Sequence, residues 1–253
     1  MVQANRSVPR RGGVTWLEVL AACAVAALVV QLLLPALQVA REAARRRQCA
    51  ANLRQLGQAL HQYSDAHGQL PPAAFWDGSQ LDLVEFPRID DTVPVTAANW
   101  VELLLPYLEN DAQEAGFDPA VPAIAPARAA MRQRNLPWMR CPSDSYAVAD
   151  NPYVYENPSG AKAYFARGNY AINGGVQNIY EAPGTLMGPR PLGTGYSVDM
   201  ERRRCQWWGS GVAGFNKSFR LRSITNGLAT TVLLDEVRAG IHPMDPRGVW
   251  ALG

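Results

Sequence analysis

The sequence predicts an α+β protein: one long N-terminal helix that spans a membrane in its first half and packs in its second on an antiparallel-sheet head with large loops. Three observations predict it. Residues 19–40 hold no charge, a run of 22. From Arg41 to His67 there is no proline, and apolar residues recur at spacings of four and three. Beyond residue 69 the chain is rich in Gly, Pro, Asn and aromatics with short apolar runs, the pattern of short strands joined by turns.

Before the helix lies a short basic leader, residues 1–13, with Arg6, Arg10 and Arg11, ending at Gly12-Gly13. Val14-Thr15-Trp16-Leu17-Glu18 follows, and after Glu18 no charge recurs until Arg41. At 1.5 Å per residue the 22 uncharged residues reach about 33 Å, enough for a hydrocarbon core of about 30 Å. Residues 14–40 are therefore read as the transmembrane part. Glu18 sits near one end of it, where a carboxylate is costly and by default functional and paired. Pro35 removes one backbone bond and is expected to kink the helix.

Residues 41–68 continue the helix onto the head. Cys49, Leu53, Leu56, Leu60, Tyr63 and His67 form one stripe, which needs a partner surface. Gly68 and Pro71-Pro72 end the helix. With its first half the helix would be about 80 Å long. In the head, residues 69–253, a short helix from Asn99 to Asn110 is expected to break at Pro106. A second helix is expected over Pro126–Arg134, strands over Asn169–Ile172 and Thr230–Leu234, and a long loop over 182–195.

Charge excludes a nucleic-acid role by bulk attraction. Lys and Arg number 24 against 22 Asp and Glu. Three of the basic residues lie in the leader, so the rest of the chain is near neutrality. The four cysteines are Cys23 inside the apolar run, then Cys49, Cys141 and Cys205. No Cys-x-x-Cys occurs, so a zinc or thioredoxin-type site is not expected.

The Gly13-Val14 junction, the apolar start and Glu18 together resemble the processing site of type IV prepilins and of type II secretion pseudopilins. The family usually has Phe at the place of Val14 and Leu or Ile at that of Trp16. The resemblance implies cleavage between Gly13 and Val14 by prepilin peptidase, methylation of the new N-terminus, and Glu18 as the assembly residue that meets the Val14 amine of a neighbouring copy. It also implies an inner-membrane protein with N-terminus inside and head outside. The charges flanking the span do not decide orientation, because Arg41, Arg45, Arg46 and Arg47 follow it.

Five further blocks resemble a group of bacterial prepilin-like proteins whose head is domain of unknown function 1559. They are Cys49 to His61, Leu104-Leu-Pro-Tyr-Leu-Glu109, Cys141-Pro-Ser-Asp144, Asn169-Tyr-Ala-Ile-Asn-Gly174, and Ile224-Thr-Asn-Gly227 with Thr231 to Glu236. That group usually continues into a His-x-Gly-Gly and Asp-Gly strand region, whereas this chain stops at Trp250-Ala-Leu-Gly253. The resemblance implies a truncated or short variant, in which an absent terminal strand would leave an open sheet edge.

The helix stripe puts Cys49 toward the head and Cys141 opens a turn, so a Cys49–Cys141 disulfide is expected, closing a loop of about 90 residues worth roughly 4 kcal/mol. Cys205 is the alternative partner. No metal or other cofactor is expected. His61, His67 and His242 do not converge. Asp144, Asp150 and Asp199 lack the ligand spacing of a calcium loop. Neither Asp235-Glu236 nor Gly209-Ser-Gly211 stands in a catalytic setting, and no enzyme is expected. Glu201 to Trp208 mixes basic and aromatic residues, which a DNA contact could use, but such a patch is more often a loop with half-buried tryptophans. A lipoprotein reading of Leu20-Ala-Ala-Cys23 is disfavoured by Glu18 before it and the apolar run after it. The expected role is a structural pilin-like or pseudopilin-like subunit whose partners are the peptidase, the inner membrane and its own copies or other pilin-like subunits. The alternative is a membrane-tethered binding module for a glycan, protein or cell-wall ligand that does not polymerise.

Overall fold

The computed structural model describes residues 15–75, 97–108, 121–156, 160–175, 195–199 and 204–251. The chain divides into two compact units, Met1–Arg45 and Arg46–Gly253.

Helix α1 runs over Trp16–His67, 52 residues. Thr15 caps it: the Glu18 N–H donates to Thr15 Oγ1 (3.4 Å) and the Thr15 N–H donates to Glu18 Oε2 (2.9 Å). This is a capping box, each side chain satisfying a backbone donor that the first turn leaves open. Residues 15–40 are all exposed. Pro35 lies inside the helix, which continues on both sides of it.

In the second unit α1 buries Cys49, Asn52, Leu56, Ala59, Leu60, Tyr63 and Ser64. The expected stripe is thus right at Cys49, Leu56, Leu60 and Tyr63. Leu53 is only partly covered and His67 is exposed. His67 instead stacks on Tyr63, ring centroids 4.1 Å apart. Gly68, at φ 72°, ends the helix in the left-handed conformation and donates to the Ser64 carbonyl (2.8 Å), as a C-terminal glycine should.

Helix α2, Trp100–Leu108, is continuous, with Pro106 inside it. The expected break does not occur. Pro106 forfeits only the bond to the carbonyl four residues back, and burial of Trp100, Val101, Leu104 and Leu105 offsets that loss. Asn99 caps α2 through Oδ1, which accepts from the Val101 (2.9 Å) and Glu102 (3.1 Å) N–H groups, while Glu102 Oε2 accepts from the Asn99 N–H (3.1 Å). The expected helix over 126–134 begins as a 3-10 turn, Pro126–Arg128, and continues as α3, Ala129–Arg132.

The strands are short and antiparallel. β1 (Tyr153–Glu156) pairs with β2 (Lys162–Phe165). β3 (Tyr170–Ile172) pairs with a C-terminal strand, while β4 (Gly195–Asp199), β5 (Arg204–Trp208), β6 (Ala213–Phe215) and β7 (Lys217–Ser218) form a four-stranded sheet in sequence order. The partner of β3 is β8, Leu234–Glu236, not the expected Thr230–Leu234. Leu228–Thr230 is a 3-10 turn. There Thr230 Oγ1 donates to the Asn226 carbonyl (2.6 Å) and Thr231 Oγ1 to the Gly227 carbonyl (2.8 Å). Such bonds compete with strand pairing. Residues 204–208 are strand, not loop, and 201–203 lie outside the described residues. So does the expected 182–195 loop except Gly195, which opens β4. The core gathers around Leu56, Leu60, Val101, Leu104, Leu136, Met139 and Phe165, all fully buried.

Candidate functional site

Two places carry the candidate function: the uncovered front of α1 and the junction that ties its rear to the head. Gly13 and Val14 lie outside the described residues. Glu18 is exposed and engaged with Thr15. The segment after it is the one helix among the described residues long and apolar enough to cross a membrane, and its apolar window has no buried residue. Its exposed side chains include Leu20, Val25, Leu28, Leu32 and Leu37, each more than half accessible. Apolar side chains so placed on every side of a helix suit a lipid or helical environment and not water.

At the junction, Cys49 and Cys141 form the expected disulfide, with Cα atoms 4.9 Å apart across 92 residues of sequence. Both are buried. Of Cys205 only the backbone is described, paired with Val198. Two asparagines complete the staple. Asn52 Nδ2 donates to the Arg140 carbonyl (2.9 Å), next to Cys141. Asn169, fully buried, accepts from the Cys141 N–H on Oδ1 (2.8 Å) and donates from Nδ2 to Asp144 Oδ2 (2.5 Å) and to the Val237 carbonyl (3.1 Å). Asp144 also accepts from the Ala239 N–H (2.8 Å) and the Tyr146 N–H (2.9 Å). Helix, Cys-Pro-Ser-Asp turn, β3 and the end of β8 therefore meet at one point. Close approach of backbones follows beyond β3, where the Val212 N–H donates to the Asn173 carbonyl (2.8 Å). A Cβ on Gly211 would lie 2.2 Å from that oxygen, so only glycine fits.

The family model described as Protein of unknown function (DUF1559) matches residues 38–251. The chain belongs to that family. No curated protein and no solved structure matches it. In this DUF1559 head, four of the five blocks noted in the sequence contribute to the junction or to the strands leaving it, and Leu104 of the fifth is in the core.

The junction serves mechanics better than chemistry. The Asp144 carboxylate accepts three hydrogen bonds, one from the side chain of Asn169 and two from the backbone N–H groups of Tyr146 and Ala239. Glu236, on β8, is raised from its ordinary value by partial burial, then by the Asp144 and Asp235 charges. Among the described residues the single group of close metal-ligating atoms is Cys49, Cys141 and Glu236, and the disulfide occupies both sulfurs. Asp150 is exposed and Asp199 is described by backbone alone. His61 is exposed on α1 and His242 lies in the C-terminal loops.

Sequence reasoning missed three buried arginines: Arg128, Arg167 and Arg132, whose guanidinium donates to the Ala125 carbonyl (2.6 Å). Arg128 pairs with Glu102 beside the Asn99 cap. Burial drives Glu102 upward against the opposing pull of Arg128. Arg167 is 1% exposed and donates to the carbonyls of Asn151 (3.0 Å), His242 (2.8 Å) and Arg247 (2.9 Å), and to that of Asp245. It ties residues 242–247 to the head. A lone arginine in a Tyr-Phe-Ala-Arg-Gly-Asn stretch gives no local sign of this, because three of its four partners are backbone oxygens 75–80 residues away.

Proposed function

We propose that this DUF1559 protein is a pilin-like or pseudopilin-like structural subunit, anchored in the inner membrane by residues 14–40 with its head outside. One observation carries the reading: a single helix is bare and apolar over residues 15–40 and built into a disulfide-stapled head from Cys49 onward. Prepilin peptidase would cut between Gly13 and Val14, leaving Thr15 as the second residue and Glu18 as the fifth. Glu18 then has two successive partners. In a lone subunit the Thr15 N–H satisfies its carboxylate, and in an assembly the Val14 amine of a neighbour replaces or joins it. A pair of opposite charges in low dielectric is worth more than a hydrogen bond from one uncharged amide to the carboxylate, which favours the assembled state.

The test is a pair of variants in cells that make the protein. Gly13→Ala is expected to block processing. Glu18→Ala is expected to be processed and membrane-bound but absent from filaments in sheared surface material viewed by electron microscopy. Intact filaments from Glu18→Ala contradict the assembly role. Wild-type protein that is processed yet never found in filaments selects the tethered binding module instead.

A further inference from the structure

The far end of α1 carries a cleft that neither the anchor nor the staple uses. It has a volume of about 440 Å³ and is lined by Ser64, His67, Gln69, Arg220 and Arg222, with Gly68 and Leu221. We propose that it binds an oxyanion, a carboxylate or phosphate borne on a hydroxyl-rich ligand such as a sugar acid or a glycerophosphate. This inference is independent of the pilin-like reading, since a subunit or a tethered module could equally carry it.

Charge is the first argument. Arg220 and Arg222 are exposed, and no carboxylate among the described residues lines the cleft. Among the described residues neither guanidinium has an ion-pair partner, whereas Arg45, Arg128, Lys162 and Arg247 each face an acid. The whole stretch 212–234 contains Lys217, Arg220 and Arg222 and not one Asp or Glu. Two like charges held at one concave surface repel each other unless an anion sits between them, and the low-dielectric wall strengthens the field there. The planar donor fork of arginine suits a carboxylate or phosphate.

Rigidity is the second. Leu70 N–H donates to the Phe219 carbonyl (2.8 Å), fixing the residue before Arg220 against the exit of α1. The 3-10 turn Leu221–Ser223 holds the arginines either side of Leu221, which packs on the core. On the other wall two carbonyls of the last turns, which would repel an anion, are already taken. Ser64 O accepts from the Gly68 N–H (2.8 Å), and Tyr63 O accepts from His67 Nδ1 (3.0 Å).

The polar groups around the arginines set the class of ligand. A carbonyl only accepts, so the bond to Tyr63 O puts a proton on His67 Nδ1, which the Tyr107 hydroxyl also approaches (3.4 Å), and the tautomer protonated there presents Nε2 as an acceptor. The Gln69 amide and Ser64 hydroxyl add donors and acceptors. An acceptor beside two cations has nothing to take from a fully deprotonated anion such as sulfate, but it takes the hydroxyl of a ligand whose anionic group lies between the arginines.

The test is calorimetric titration of the full chain in uncharged detergent with glucuronate, glycerol 3-phosphate and, as a neutral control, glucose. Binding of glucuronate, of glycerol 3-phosphate or of both, at about 1 mM or tighter, with none of glucose, is expected. Whichever binds identifies the source of the oxyanion. Arg220→Gln with Arg222→Gln should weaken binding at least tenfold, by the order expected for losing charged hydrogen bonds (about tenfold or more). Both side chains are exposed, so thermal unfolding should be unchanged, and that measurement separates lost binding from lost fold. No binding of either anion, equal binding of glucose, or undiminished binding by the double variant overturns the proposal.

Discussion

The two halves of α1 reverse the usual relation between composition and burial. Residues 15–40 are almost wholly apolar and every one is exposed. Residues 46–67 carry Arg46, Arg47, Gln48, Asn52, Arg54, Gln55 and Gln58, yet this half supplies seven buried residues. Hydrophobic content does not decide which half enters the head; periodicity does. The rear presents one covered face, with Cys49, Asn52, Leu56, Ala59, Leu60 and Tyr63 at steps of three and four. The front is apolar all round, with no face to prefer, and fits a surrounding that is itself apolar.

Substitutions sharpen the contrast, the largest effect first. Reducing the Cys49–Cys141 bond, or Cys141→Ser, should lower the stability of the head by about 4 kcal/mol, from a closed loop of 92 residues; denaturant unfolding of the full chain in detergent measures it. Leu56→Ala, at a site with no exposure, should cost about 2–5 kcal/mol by the same assay. Leu28→Ala, in the front half and 60% exposed, should change it by less than about 0.5 kcal/mol. An equal cost at Leu28 and Leu56 would break the distinction between the halves.

The smallest effect concerns pH. Glu236 has its folded value raised above 4.5 by burial and by Asp144 and Asp235. A raised carboxylate favours its protonated form in the folded state. Its contribution is therefore intact below 4.5 and declines as pH rises from there through the raised value. Glu236→Gln should remove that decline, a gain of under about 0.5 kcal/mol at neutral pH because the side chain is solvent-accessible. A melting temperature followed from pH 4 to 7 on both proteins reads the difference.

Periodicity made the long helix and its end at Gly68 legible in sequence, and the stripe pointed Cys49 at the head. Composition could not reveal Asn52, Ala59 and Ser64 as buried, since small and polar residues enter a face only where a specific partner such as the Arg140 carbonyl meets them. Strand placement failed near 230 because the Thr230 and Thr231 hydroxyls close a turn on Asn226 and Gly227, which β-propensity does not register. Pro106 looked like a breaker because a local rule cannot weigh the burial of Val101 and Leu104. The Thr15–Glu18 capping box is legible in Thr-x-x-Glu, a local partner for Glu18 that its place at a membrane end does not call for. The buried Arg167 and the Arg128–Glu102 pair depend on distant chain segments and left no local trace.

The N-terminus of the protein recovered from cell membranes tests the central claim most directly. Mass spectrometry of the intact protein and its first peptide should find a chain that starts at an N-methylated Val14. A chain still starting at Met1 with no shortened form, or one starting at a lipid-modified Cys23, contradicts it.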